Sequence, residues 1–175
     1  NLLTNKPVSG PDDLKGVRVR TIGQPLWIKT IGAMGAVPTP LAWAEVYPSL
    51  QTGVIDGAEA QPSAIRGAKL YEVVSDVTVT EHIYLMTGLI VSARWLSSLP
   101  EDLRAIVVEE AQKAGADVLK ANVEQADEIF AEIEGKGVKV HRIDTTPFRK
   151  AVEPVYGELG LTDIIQEARA AIGAR

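Results

Sequence analysis

The chain has 175 residues, 46% of them hydrophobic and 23% charged, enough apolar material to bury a core and too much for a disordered segment. Its formal net charge is −5 and its basic residues are scattered, which argues against a nucleic-acid backbone as partner. Cysteine is absent, so disulfide frameworks, thiolate nucleophiles and cysteine metal sites are excluded, while the compartment stays open.

Residues 1–11 contain neither the basic region nor the apolar run of a signal peptide, and no stretch approaches the ~18–20 apolar residues that cross a bilayer. Without an initiator Met the chain reads as processed, trimmed or begun part-way through a larger protein. From Ser9 to Gly16, Pro11, the acids Asp12 and Asp13 and the closing glycine predict one short helical turn. Val17-Arg18-Val19-Arg20 alternates as a strand does, and Gln24 to Gly35 carries Leu26, Trp27, Thr30, Ile31 and Met34 at helical spacing. Ala36 to Pro40 is expected to be extended because proline disfavours helix in the residue before it. Helix returns over Ala42 to Gly53, a brief strand and turn over Val54 to Gly57, and helix again over Ser63 to Tyr71.

This βαβαβα order predicts the α/β class with a mostly parallel sheet, whose ligands bind beyond the strand C-termini. Val73 to Ala93 reads as one long strand or two consecutive ones, and as the crossover between two lobes. Pro100 to Glu134 reads as one helix with Pro100 at its first position, roughly 50 Å long at ~1.5 Å per residue, longer than a small domain is wide. Val138 to Ile143 is a last strand, and Thr146 to Ala174 one or two amphipathic helices with Pro154 and Gly160 as kinks or breaks.

Catalytic parts are scarce. His82 and His141 are far apart and neither has a second strong ligand at helical or hairpin spacing, so no metal site is expected. Gly32-Ala33-Met34-Gly35 falls at a helix end and lacks the spacing of a phosphate loop, and there is no Gly-x-Ser-x-Gly elbow. Asp56 and Glu59 form an acidic pair that could do acid–base work, but Asp before Gly is turn chemistry and Glu59 reads equally as a capping or solvated residue. Arg20, at the predicted end of a strand, could grip a carboxylate through two parallel hydrogen bonds or be an ordinary surface arginine like Arg18, and pattern alone leaves both open. Trp43 shares helical spacing with Val46, Tyr47 and Leu50, which points to core, and Trp27 is similar.

Pro11 to Arg20, Met34 to Pro40 and Glu45 to Glu59 together resemble the DctP-type solute-binding proteins of TRAP transporters. The resemblance continues through Lys69 to Val73, Leu99 to Leu103 and Gly137 to Val140, covering nearly the whole chain. It implies a periplasmic-binding-protein-like (type II) receptor outside the cytoplasm whose two lobes close on an organic acid and pass it to a membrane permease, without ATP, cofactor or metal. In that family the arginine ending the strand pairs with the ligand carboxylate and the aromatic before the Glu-Val-Tyr stretch packs on the ligand, which implies Arg20 and Trp43, with Gln24 and Trp27 as pocket wall. Ala60 stands where many relatives carry Asn or another polar residue, which implies either a less polar distal end of the ligand or one held by Gln61 or Glu59.

The resemblance further implies that residues 1–85 and 128–175 form the second lobe and 86–127 cross to the first, the long helix serving as strut. The N-terminal lobe, with a second ligand-facing arginine, is then expected to be missing from this chain, which would leave 86–127 exposed and prone to dimerisation or swapping. Two other readings stand beside the receptor: a receptor-derived sensor or protein-interaction domain, and, last, an enzyme using Asp56 and Glu59.

Overall fold

A computed structural model of the chain describes residues 1–85 and 87–173; Met86, inside the expected crossing segment, and Ala174 and Arg175, at the end of the last expected helix, lie outside the described residues. Strands β1 (Leu2–Thr4), β2 (Arg18–Thr21), β3 (Val37–Pro40), β4 (Gly57–Glu59), β5 (Asp76–Val79) and β6 (Lys139–Arg142) form one sheet in the order β3-β2-β4-β1-β5-β6. β2 pairs in parallel with β3 and β4, and β5 with β6, while β1 runs antiparallel to both of its neighbours. All strands but β1 therefore point the same way, and the fold is mixed α/β with a mostly parallel sheet.

Eight α-helices follow among the described residues: α1 (Pro25–Ala33), α2 (Val46–Gln51), α3 (Pro62–Gly67), α4 (Ala93–Ser98), α5 (Glu101–Glu124), α6 (Ala126–Gly135), α7 (Thr146–Glu158) and α8 (Thr162–Gly173). Alternation along each strand splits the core between the two faces of the sheet. Leu2 and Val19 share a cluster with Ile31 of α1, Met34 just beyond its end, and Phe148 of α7. Leu3, Ala58 and Val77 face Leu50 of α2, Ile65 of α3 and Phe130 and Ile133 of α6. Gly35 ends the turn after α1 at φ +103, with the Pro11 carbonyl oxygen 2.4 Å from where a Cβ would sit, so that position admits only glycine.

Several expected elements differ. The helix over 100–134 is broken at Gln125, and Pro100 caps α5 from outside rather than opening it. The break coincides with a change in packing: α5 buries no residue, whereas α6 buries Ile129, Phe130 and Ile133. Only Asp76–Val79 of the Val73 to Ala93 stretch is strand, and the described residues from Thr80 to Ser92 are irregular. The brief strand expected with a turn over Val54 to Gly57 lies instead at Gly57–Glu59, so Gly57 is in the ladder and not in a turn. Trp43 opens a short 3-10 turn (Trp43–Glu45) instead of the α-helix, falls out of phase with Val46 and Leu50, and stays 43% exposed rather than entering the core. The stretch after Thr146, by contrast, agrees with expectation: two helices separate at Gly160 (φ +67), with Pro154 inside α7.

Residues 87–124 form the least covered part of the molecule. Leu89, Ile90, Val91, Trp95, Ile106 and Leu119 are all exposed, and Leu89, Val91, Leu96, Val107 and Ala111 line an apolar groove of about 300 Å³. No helix among the described residues is long and apolar enough to cross a membrane.

Candidate functional site

The parallel strands end together along one edge of the sheet, where open α/β folds receive ligands. Arg20 is the penultimate residue of β2 and, although charged, is only 5% exposed. Its Nε donates to the Leu41 carbonyl at 3.0 Å, just beyond the end of β3, and the Trp43 ring lies 5.4 Å from its guanidinium carbon. The pairing of Arg20 with Ala58 carries Glu59, at the end of β4, to the same place, with Oε1 3.7 Å from Arg20 Nη1. That separation permits attraction but no hydrogen bond. The outer nitrogens of the guanidinium thus make no hydrogen bond to any described residue. Burial lowers the pKa of Arg20, against the pull of Glu59, without threatening its charge. Burial pushes the Glu59 carboxyl up, and Arg20 draws it back down.

The buried polar side-chain atoms that lack a partner among the described residues are Asn1 Oδ1, Thr21 Oγ1, Glu59 Oε1 and His82 Nε2. All belong to this one edge: Asn1 precedes the antiparallel β1, Thr21 and Glu59 close β2 and β4, and His82 follows β5. Buried polar groups are ordinarily satisfied, so their gathering makes this edge the candidate place for polar groups from elsewhere, with the Thr21 hydroxyl close enough to Glu59 to help lower its carboxyl. His82 Nδ1 shares a 2.7 Å contact with Thr80 Oγ1, and burial lowers the imidazole to about 3, which keeps it neutral.

The sequence candidates do not all converge. Arg20, Trp43 and Glu59 come together, so Glu59 is neither a helix cap nor a solvated acid. Gln24 caps α1 without a side-chain bond and is exposed, Trp27 is half-buried one turn further along, and Gln61 stands exposed before α3. Ala60 is buried beside Asn1, whose carbonyl accepts its N–H. Asp56 belongs elsewhere: Arg18 grips it with two nitrogens, at 2.8 Å and 2.7 Å, which lowers its carboxyl to about 2. Asp56 and Glu59 are therefore held by different arginines and do not form an acidic dyad. The role of the edge atoms Thr21 and His82 was missed, since their burial depends on strands brought together from distant parts of the chain.

Among solved structures, a TRAP periplasmic solute binding protein from Escherichia fergusonii, in an apo open state, is 47% identical with a TM-score of 0.84, the match covering 97% of this chain and 57% of that one. One from Actinobacillus succinogenes with bound L-galactonate is 32% identical (TM-score 0.82; 88% and 51% covered). One from Fusobacterium nucleatum with bound sn-glycerol-3-phosphate is 33% identical (TM-score 0.91; 99% and 58% covered). A curated solute-binding protein of Sulfitobacter sp. (strain NAS-14.1), NAS141_03721, is 33% identical over 97% of this chain, which spans 53% of that relative. The chain thus spans about half the length of the proteins it matches. Residues 1–162 match the family model described as bacterial extracellular solute-binding protein, family 7, and the chain belongs to that DctP family.

Proposed function

We propose that this chain carries the anion-gripping side of a receptor that captures a small organic acid outside the cytoplasm and delivers it to a TRAP membrane permease. One observation carries the reading: a buried arginine at the ligand edge of the sheet is anchored through Nε and stacked by Trp43, while its outer nitrogens make no hydrogen bond to any described residue. A carboxylate presents two acceptors at the spacing of such a fork. Family membership, and a relative with bound L-galactonate, support the same assignment. In this reading Arg20 pairs with the carboxylate, Trp43 covers one side of the ligand, and Glu59, Gln61, Gln24 and Trp27 contribute to the walls. It is binding rather than catalysis, in keeping with the separation of Asp56 from Glu59.

Residues 1–85 and 128–175 then make one lobe, and 86–127 reach across to another. The apolar face of the 87–124 segment fits that role, because so much exposed apolar surface needs a partner.

The test is calorimetry of a carboxylate library against the complete gene product that carries this chain. Arg20→Ala is expected to cost ~2–5 kcal/mol of affinity, and Arg20→Lys to recover only part, since a point charge does not reproduce the planar fork. Unchanged affinity in both variants removes Arg20 from the site.

A further inference from the structure

Two carboxylates stand at strand starts on this sheet, each held by a basic side chain of a neighbouring strand. Asp56, just before β4, is gripped by Arg18, whose charge never changes. Asp76, the first residue of β5, is held instead by a histidine. It is buried, with Oδ2 accepting from Ser75 Oγ at 2.6 Å and Oδ1 lying 2.7 Å from Nε2 of His141 on β6. Burial alone would push its carboxyl up, but the bonds from Ser75 and His141 and the charges of His141 and Lys139 carry it below the ordinary 3.8. An ionised carboxylate only accepts, so Nε2 donates, and in the neutral ring Nδ1 is left to take a further proton. His141 is 29% exposed and open to protons from bulk water, whereas burial holds the chain's other histidine, His82, neutral down to about 3.

The pair joins the two strands between which the chain makes its long excursion. β5 is the last strand before residues 80–124, and β6 is the strand entered on return through α6. Among the described residues β6 closes one end of the sheet, with β5 as its one strand neighbour and α6 packed against it. Lys139 shares the face of His141 and stands opposite Asp76 in the ladder, while Arg142, on the alternate face, is bonded to Asp127 of α6. We propose that Asp76 and His141 are a proton-operated clasp that fastens the edge strand β6 to the sheet more tightly as the surroundings turn acidic. A hydrogen bond between two charged partners is stronger than one from a neutral ring. The coupling is mutual, so what an imidazolium does for the buried carboxylate, the carboxylate does for the imidazolium. Its sign is opposite to that of Arg18 and Asp56, a pair that acid can only weaken. The clasp stands apart from the receptor reading, which supplies only its setting, outside the cytoplasm.

The test is thermal unfolding of the complete gene product that carries this chain, beside its His141→Gln variant, which keeps a neutral donor but cannot take the proton. Between about pH 8 and pH 5.5 imidazoles gain charge while Asp76 stays ionised. Over that range the wild type is expected to pull ahead of the variant by roughly 2–4 °C in Tm. The sign follows from linkage: a proton that strengthens a contact of the folded state stabilises that state where the proton is bound, at the acid end. A gap that stays constant, or that shrinks toward acid, overturns the clasp. NMR of the imidazole nitrogens in the wild type decides the matter even where the variant does not fold. Nε2 of His141 is expected to stay protonated throughout, with Nδ1 gaining its proton on acidification. A ring with Nε2 bare at about pH 8, or one that takes up no proton by about pH 5.5, overturns the clasp equally. Neither readout is ligand affinity, so failure of the clasp leaves the receptor reading standing.

Discussion

Single residues show how far local pattern reaches. Arg20 could be placed at a strand end from alternation, and its role from the resemblance, but its burial and its neighbour Glu59 depend on a ladder between segments 38 residues apart in pairing, Arg20 with Ala58. Trp43 misled because helical spacing with Val46 and Leu50 assumes one continuous α-helix, and the tighter first turn rotates it outward. Asp56 looked like turn chemistry, and the arginine dismissed as a surface residue holds it. That pair has a pH signature. Arg18 lowers the folded carboxyl from 3.8 to about 2, so its stabilisation is complete above the ordinary value and lost as pH falls through the folded one. Both side chains are more than a third exposed, which limits the effect to about 0.5–1 kcal/mol. Asp56→Asn should therefore melt below the wild type at neutral pH, and thermal melts by circular dichroism should show that gap closing between about pH 4 and pH 2. A gap constant down to the lowest pH would mean that the substitution acts through something other than this ion pair.

Among elements, those with strong punctuation were legible. Gly35, Gly160 and the prolines set the ends of α1, β3, α7 and α8 close to where they were expected. The break at Gln125 carries no such mark: neither Gly nor Pro stands there, and the apolar spacing of 101–134 runs through it. What ends α5 is tertiary, since α6 packs against α3 while α5 finds little to pack on. Two truncations in this one helical run should then behave differently. Ile133→Ala, in a side chain with no exposure, is expected to cost about 2–5 kcal/mol in denaturant unfolding of the chain, through lost burial and the cavity left behind. Leu119→Ala, at a site 68% exposed, should stay within ~0.5 kcal/mol. Equal losses would show that α5 has an apolar partner when the chain stands alone.

For the molecule as a whole, the α/β class and the direction of most strands followed from alternation, whereas β1 did not. Three residues show no period, and its partners lie more than fifty positions away. The resemblance implied a crossing segment over 86–127, and the exposed apolar residues within 87–124 give a prediction for this chain alone. With Leu89, Ile90 and Leu119 facing water, the isolated chain is expected to self-associate with rising concentration in sedimentation velocity and to bind a fluorescent apolar dye. A monomer at all concentrations that binds no dye would remove the need for a second lobe.

The position of β1 has a mechanical consequence. Among the described residues it is the sole stitch between the ribbon β3-β2-β4 and the ribbon β5-β6, and all three of its residues are buried. Unpick those few residues and the sheet parts down its middle, baring two raw margins that any extended chain could cap. A strand of only three residues is thus the seam on which the integrity of the whole garment hangs.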